Sequence, residues 1–445
     1  MDIEEALSYL DRHLNREARA GRYEGLSLDV IRSLLHAMAD PHKAYPSVHV
    51  TGTNGKGSVC TMIASLLEAH GLSTGLYTSP HLHRPNERIA HRLRPISDVQ
   101  LARAIEDVAV VEPLVDGEPS WFELMTAAAF GCFADLGVDV AVVEVGLLGR
   151  FDATNVLESP VAVLTNIGKD HTDGVGDWRR AIAEEKSGIV HPGARFVCGE
   201  TDPSLRSVFD ATPAERRVYL GEDFRLTRND LAVGGRLVSV KTPRGEVEDV
   251  FLPLHGRHQG VNFAIALAAV EEFFDRPLDQ RTVEDACELV SIPGRFEVVS
   301  RRPLVVLDGA HNPEAAASVR ETLKDFGWAR RTFVIGFLEG RDPREVMGSF
   351  GIQPGDRLII CPPPSPRAME ARRMVLAAQQ LGLDPDVEED PATAVGRALD
   401  ESDEEDAVVV TGSLYLVGAV RTALVEPDDE DTSLTRAHEV PPVAE

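Results

Sequence analysis

The sequence predicts an α/β protein: a phosphate-loop-containing, mostly parallel sheet unit followed by a smaller α/β unit. Three observations predict it. The glycine-rich stretch Thr51 to Ser58, TGTNGKGS, follows the apolar run Val48-His49-Val50 and precedes an apolar-periodic run from Val59 to Leu67. That context reads as strand, tight turn, helix. Apolar runs then alternate with helical patterns, which is how βαβ units and a parallel sheet are written. After Ser291-Ile292-Pro293-Gly294 a second such series begins.

In chain order, Met1 to Asn15 reads as an amphipathic helix with Ile3, Ala6, Leu7 and Leu10 on one face. A second helix is expected from Ser27 to Ala39, with Ser27 as its N-cap. Strands are expected at 48–50, 75–77, 138–145 and 161–166; VDVAVVEV at 138–145 is the continuous apolar run of a strand covered on both faces. Helices are expected between them, including Glu123–Ala134 and Trp178–Lys186. Residues 219–254 differ: short alternating runs, with turns expected at Asn229-Asp230, Gly234-Gly235 and Arg244-Gly245, suggest a small antiparallel insert. A helix from Gln259 to Phe274 follows. The second unit, Rossmann-like, is expected to carry strands at 304–307, 332–336, 358–361 and 407–411. The expected domains are therefore 1–292 and 293–425, and the acidic, Pro-containing stretch 426–445 reads as a disordered tail.

With 445 residues the chain can bury ample core. Its 72 acidic residues outweigh 45 basic ones, a formal net charge of −27, and nearly all the basic residues are arginine. So negative a field argues against nucleic acid or an anionic membrane as partner. It fits a protein adapted to high salt, where self-repulsion is screened. Cys60, Cys132, Cys198, Cys287 and Cys361 are scattered without metal spacing, which suggests a reducing cytoplasm. No stretch approaches the ~18 apolar residues of a membrane helix, and MDIEEALSYL lacks the basic start of a signal peptide.

The chemistry gathers where strands end. Gly52, Gly55 and Gly57 let backbone N–H groups close around an anion at a helix start. Lys56 would reach terminal phosphates, and Ser58 or Thr53 would offer a hydroxyl to Mg²⁺. The loop departs from the usual pattern: Val50 stands where its first glycine belongs, and Gly57 separates Lys56 from Ser58. Glu144 ends an apolar strand, where a charge without a partner is costly; a carboxylate there suits Mg²⁺ held by phosphates. His171, read alone, is either a hydrogen-bonded structural residue or a ligand. Lys186, read alone, is a surface lysine beside two acids. Arg295 reads as an exposed linker arginine, and Asp308 as an acid at a helix start with Pro313 just inside.

The order of motifs settles more. TSPHL (78–82), NERI (86–89), EVGLLGRFDATN (144–155), TNIGKDHTD (165–173), EEKSGI (184–189), GRHQGVN (256–262), PGRFE (293–297), DGAHNP (308–313) and TGSLYLVGAVR (411–421) closely resemble the folylpolyglutamate synthase and dihydrofolate synthase family, a branch of the Mur ligases. The resemblance runs from Tyr23 to Arg421, and the offset glycine-lysine-glycine-serine loop is that family's form. It implies the Mur ligase architecture, with ATP in a cleft between domains. ATP would be held by Thr53, Asn54, Gly55, Lys56, Gly57 and Ser58, with Asn262 at the adenine and Arg295, Asp308 and His311 reaching over from the second domain. It implies two Mg²⁺ ions, served by Ser58, Glu144 and His171, and a carbamylated Lys186 near the second; a monovalent cation is a further candidate cofactor. Ser79, Pro80 and His81 resemble a mobile loop beside the pterin-bearing substrate, and Glu123 a position near metal and substrate.

The implied reaction makes an acyl phosphate from a carboxylate and ATP, which the amine of L-glutamate then attacks; Lys56, Lys186 and His171 would serve catalysis. The acceptor would be dihydropteroate or tetrahydrofolate, and the expectation is one monomeric cytoplasmic enzyme with both activities. Two other readings stay open: a Mur-type amide ligase with a different acceptor, and a nucleotide switch that hydrolyses ATP without ligation.

Overall fold

The structure, a computed structural model, describes residues 1–15, 27–169 and 176–425. The first sheet has eight strands: β1 (Ser47–Thr51), β2 (Thr74–Tyr77), β3 (Ile89–His91), β4 (Arg94–Pro95), β5 (Val140–Glu144), β6 (Val161–Leu164), β7 (Arg195–Cys198) and β8 (Arg216–Tyr219). Their order is β4-β3-β2-β5-β1-β6-β7-β8. From β2 to β8 every pairing is parallel; β3 and β4 add an antiparallel edge. The chain crosses from β1 outward to β2 on one side and from β5 to β6 on the other, so the order reverses around β1. Ligands of such sheets bind beyond the carboxyl ends of strands at that reversal.

The central strands are buried from end to end, as their unbroken Val/Ala runs require. One face is covered by the Lys56–Ala69 and Arg257–Phe274 helices, the other by the Trp121–Leu136 helix. Val50, Val142 and Val163 have no exposed surface, and each such side chain contributes about 1.5–3 kcal/mol by leaving water. The N-terminal helix, Ile3–Asp11, is closed by an Asp2/Glu5 capping box, and Tyr9 and His13 both bond the Glu112 carboxylate.

The insert is a three-stranded antiparallel sheet in the order β11-β10-β9, with β9 (Arg225–Ala232), β10 (Gly235–Lys241) and β11 (Glu246–Leu252). The third sheet runs β12-β13-β17-β14-β15-β16, with β12 (Glu297–Arg301), β13 (Leu304–Asp308), β14 (Arg331–Ile335), β15 (Arg357–Ile360), β16 (Asp386–Val387) and β17 (Ala407–Thr411). All its pairings are parallel except β12 with β13. The α/β fold class is as the sequence indicates.

Three local readings are corrected. The second helix is Asp29–Ala37 with Leu28 at its N-cap and no side-chain cap; Ser27 instead exchanges bonds with Asp29, its Oγ accepting from Asp29 N at 3.0 Å. Asn229-Asp230 is not a turn. It lies inside β9, paired with Val238 and Leu237, because the ladder to β10 runs on to the Gly234-Gly235 turn. The helix expected at Glu123–Ala134 runs from Trp121 to Leu136, since Ser120 is its N-cap and forms a capping box with Glu123 in its first turn. The tail expected at 426–445 lies outside the described residues.

Candidate active site

β1 leads directly into the glycine loop. Gly55 occupies the N-cap of the Lys56–Ala69 helix at φ 83°, a conformation that favours glycine. A Cβ there would also stand 2.6 Å from Asn262 Oδ1. The loop is clamped by the segment after β6. Asn54 N donates to Asn166 Oδ1 at 3.0 Å, while Asn166 Nδ2 and Thr165 Oγ1 both donate to Asn54 O, at 2.9 and 2.7 Å. Thr53 Oγ1 accepts from Gly168 N at 2.9 Å and faces Gly168 O at 3.3 Å. Its hydroxyl therefore staples the loop, whereas Ser58 is buried in the first helical turn. No side chain caps the helix start, so its N–H groups and positive dipole end face the cleft unfilled.

Glu144, the last residue of β5, is 5 % exposed. Its Oε2 accepts from Ser79 N at 3.0 Å, and Lys56 Nζ lies 3.9 Å from its Oε1. Burial raises its carboxyl above the ordinary value; Lys56, the Ser79 N–H, Arg295 and Arg88 pull the other way. A Cβ on Gly57 would lie 3.4 Å from Glu144 Oε2, so the carboxylate is pressed against the helix start. Among the described residues no three His, Cys, Asp or Glu side chains stand together to hold a metal. A single buried carboxylate next to a phosphate cradle fits Mg²⁺, which takes one or two carboxylates and fills its shell with phosphate oxygens and water. Lys186 is no surface lysine. It is 6 % exposed, and its Nζ donates to Gly52 O at 2.7 Å. His171 lies outside the described residues.

The opposite wall comes from the third sheet. Asp308 ends β13; its two oxygens accept from Phe296 N and Ala310 N, each at 2.7 Å. It thus staples the linker onto the sheet, and it is not the acid of the following helix, whose N-cap is Asn312. Burial raises the Asp308 carboxyl, with Arg295 opposing. Arg295 is no bare linker arginine, since it faces that buried acid and lines the cleft with His311, whose Nδ1 sits 2.9 Å from Gly309 O. Asn312 Nδ2 donates to Asn54 Oδ1 at 2.8 Å, and Asn54 Nδ2 reaches Asn312 Oδ1 at 3.3 Å. This amide pair joins the phosphate loop to the far wall. Asn262 is buried against Gly55 and donates to Gln259 Oε1 at 3.0 Å.

Between the walls lies a cavity of about 570 Å³. The glycine loop lines it, and so do the apolar side chains of Val30, Pro80, Phe122, Leu147, Phe151 and Ala153. Asp152 is buried there; its carboxylate takes Leu147 N at 2.7 Å and Thr154 N at 3.0 Å and so shapes the loop after β5. Glu123 lines the same cavity, but its carboxylate accepts from Ser120 N and Oγ at 2.8 and 2.6 Å, which makes it first a helix cap. Ser79 and Pro80 line the cavity, while His81 Nδ1 accepts from the buried Arg88 at 2.9 Å.

The structure thus gathers Thr53 to Ser58, Ser79, Pro80, Glu123, Glu144, Asn262, Arg295, Asp308 and His311 around one cavity. Sequence reading did not single out Asn166, Asn312, Asp152, Phe122 or Phe151. Asn166, Asn312, Phe151 and Asp152 stand in quoted motifs, and membership of those motifs is the signal that could have found them.

Comparison with known proteins agrees with this layout. Residues 122–270 match the Mur ligase middle domain, and residues 294–414 the Mur ligase glutamate ligase domain. A dihydrofolate synthase/folylpolyglutamate synthase of Mycobacterium tuberculosis is 36 % identical, over 89 % of each chain. A folylpolyglutamate synthase of Lacticaseibacillus casei is 34 % identical, over 89 % of this chain and 94 % of its own. The structure is similar to that of M. tuberculosis folylpolyglutamate synthase complexed with ADP and AMPPCP, with a TM-score of 0.88 at 34 % identity over 95 % and 98 % of the two chains. It is also similar to a bifunctional folylpolyglutamate synthase/dihydrofolate synthase with Mn, AMPPNP and L-glutamate bound, with a TM-score of 0.83 at 28 % identity over 95 % and 98 %.

Proposed function

The chain belongs to the folylpolyglutamate synthase/dihydrofolate synthase family of Mur ligases, and from that premise we propose how its own cleft performs the family's reaction. It is an ATP-dependent carbon–nitrogen ligase that adds L-glutamate to a folate-type acceptor through an acyl phosphate. The observation that carries the reading is the open helix start at Gly55, beside Lys56 and the buried Glu144, in a cavity that also takes in the apolar side chains of Phe122, Leu147 and Phe151.

ATP phosphates rest on the N–H groups of Gly55 to Ser58, with Thr53 and Asn54, whose own N–H groups bond Asn166, holding the loop in shape and Lys56 neutralising the charge that builds on the phosphates. Asn262 serves the adenine side, and Arg295, Asp308 and His311 close over from the other wall. The flat aromatic part of the acceptor lies against Phe122 and Phe151. Its carboxylate oxygen attacks the γ-phosphorus, ADP departs, and the carboxyl carbon becomes an acyl phosphate. The amine of L-glutamate then attacks that carbon; phosphate leaves, the amine loses a proton, and an amide remains. Divalent metal, when bound, supplies charge neutralisation at the phosphate oxygens. Glu144 and Ser58 would hold one Mg²⁺, with His171 serving a second. Lys186, buried beside the phosphate loop, is the carbamylation candidate, tested by intact mass and bicarbonate dependence. Potassium dependence tests for the monovalent cation.

We infer further that one monomeric chain carries both folate activities in the cytoplasm, on small-molecule substrates alone, with 1–292 and 293–425 as its two domains. All five cysteines are free and buried, which fits a reducing compartment. The net charge of −27 supports adaptation to high salt; circular dichroism should then show a melting temperature that climbs from dilute buffer to molar potassium chloride.

The deciding experiment measures ADP release with MgATP and L-glutamate, giving dihydropteroate and tetrahydrofolate separately, with Lys56→Ala as control. Release with both, and mass-detected glutamate addition, is the expected result. Release with one alone removes the second activity. Release with neither, from a folded sample that binds ATP, points to a different acceptor.

A further inference from the structure

The motif around Gly418 is absorbed by no step above; the helix that carries it, Leu414–Leu424, lines the cavity with Leu414 and Tyr415 of its first turn, and Gly418 lies one turn further on. It meets the strap Ser79–Arg84. Leu82 packs into the core of the third sheet, although it belongs to the first sheet's side of the molecule. A Cβ on Gly418 would stand 2.2 Å from Leu82 O and 3.5 Å from Leu82 Cδ1. A Cβ on Gly294, in the linker, would be 3.4 Å from the same Cδ1. The two glycines form a notch that admits the strap's backbone and one leucine.

The docking has a polar margin. His83 Nδ1 is 3.2 Å from Thr422 Oγ1, and its Nε2 is 3.4 Å from Arg421 Nη1. Arg421 holds Glu297 at 2.9 Å, and Glu297 in turn accepts from Gly294 N at 2.8 Å, so the helix, the linker and the strap are bound together. On its own side the strap is bonded to Glu87. Glu87 accepts from the N–H groups of Leu82, His83 and Arg84 at 2.7, 3.0 and 2.9 Å. At the strap's root, Ser79 N donates to Glu144. A continuous path therefore runs from the second unit's last helix to the buried carboxylate beside Lys56.

We propose that Leu82 and Gly418 are positioning residues for the ligase reaction: seating Leu82 in the Gly294–Gly418 notch fixes the strap, and the strap fixes Glu144 and the acceptor end of the cavity through Ser79. Neither residue touches the reacting atoms. The glycine at 418 is required by close approach, because any side chain there meets the backbone oxygen of Leu82, which a rotamer change cannot move.

The test measures kcat, the acceptor KM and nucleotide affinity for Gly418→Ala, Leu82→Ala and the double variant, with thermal melting as a check on folding. Gly418→Ala should lower kcat/KM for the acceptor on the order of 10- to 100-fold, as a displaced positioning element does, while the Kd for ATP stays within about twofold. Leu82→Ala, which empties the notch without a clash, should lower it about fivefold, and the double variant should be no worse than Gly418→Ala. A folded Gly418→Ala with unchanged acceptor kinetics overturns the proposal, as does an equal loss of ATP affinity, or full additivity of the two changes. If Gly418→Ala does not fold, Leu82→Ala decides on the same split between acceptor and nucleotide. The inference rests on the ligase reading, which acceptor-dependent ADP release by the unaltered chain tests separately.

Discussion

Two strand-to-helix junctions face each other across the cleft and are built in opposite ways. At the first, β1 turns through Gly55 into a helix with no capping side chain. At the second, β13 turns into the Pro313–Leu323 helix, whose start is closed: Asn312 accepts from Ala315 N at 2.9 Å, Pro313 removes one donor, and Asp308 takes the N–H of Ala310. Topology alone gives both ends the same claim on an anion. The difference lies in who fills the orphan N–H groups. Where the protein fills them, the junction is structural and its side chains reach outward, as Asn312 does to Asn54. Where the protein leaves them, a ligand completes the helix.

The strongest challenge to this contrast is Lys56→Ala, which strips the open end of its cation. Turnover should fall by roughly 10³-fold with folding intact, read by ADP release and circular dichroism. A drop below tenfold would mean that the phosphates sit elsewhere. Glu144→Gln comes next, with a loss of about 10²-fold and a higher Mg²⁺ requirement. It also carries a pH signature. The Glu144 carboxyl is raised by burial, so the folded protein binds its proton at higher pH than the unfolded chain does. The stability contributed by the neutral form is complete below the ordinary carboxylate value and is lost as pH rises through the raised one. Melting without metal should therefore favour Glu144→Gln at neutral pH, and the gap should close in acid.

Gly55→Ala should weaken ATP binding about 30-fold, since the residue combines a left-handed φ with a side-chain collision at Asn262; calorimetric titration would read it. The smallest effects separate the two jobs of the closed end. Asn312→Ser keeps a capping hydroxyl and loses the reach to Asn54, so KM for ATP should rise about fivefold with little change in melting. Asn312→Ala loses both and should in addition cost about 1 kcal/mol of stability. Equal melting of the two would show that the cap carries no weight.

How much of this was legible in sequence follows from range. The Trp178–Lys186 helix and β17 fall where periodicity places them, because burial of a local pattern decides them. Glu144 and the glycine loop were legible because a charge or three glycines inside an apolar strand-helix context has few other uses. The Asn54–Asn312 pair spans 258 residues, and nothing local marks either amide as a partner of the other. Lys186 looked exposed because its neighbours are acids; only the packing of its helix against the loop buries it. Asn229-Asp230 has turn chemistry, yet cross-strand pairing with β10 overrides it. Glu123 was placed by resemblance near metal, and its own helix start claims the carboxylate first.

The scarcity of lysine has a practical consequence. The chain has six: Lys43, Lys56, Lys169, Lys186, Lys241 and Lys324. Lys43, Lys241 and Lys324 have side chains at least half exposed, whereas Lys56 and Lys186 sit at the glycine loop with 18 % and 6 % exposure of side chain and residue. A reagent that acylates primary amines therefore meets a small set of addresses, two of them beside the glycine loop. Peptide mapping after brief labelling becomes a direct gauge of occupancy: the three outer amines serve as an internal clock, and any slowing at Lys56 on adding ATP counts filled sites without an assay of turnover.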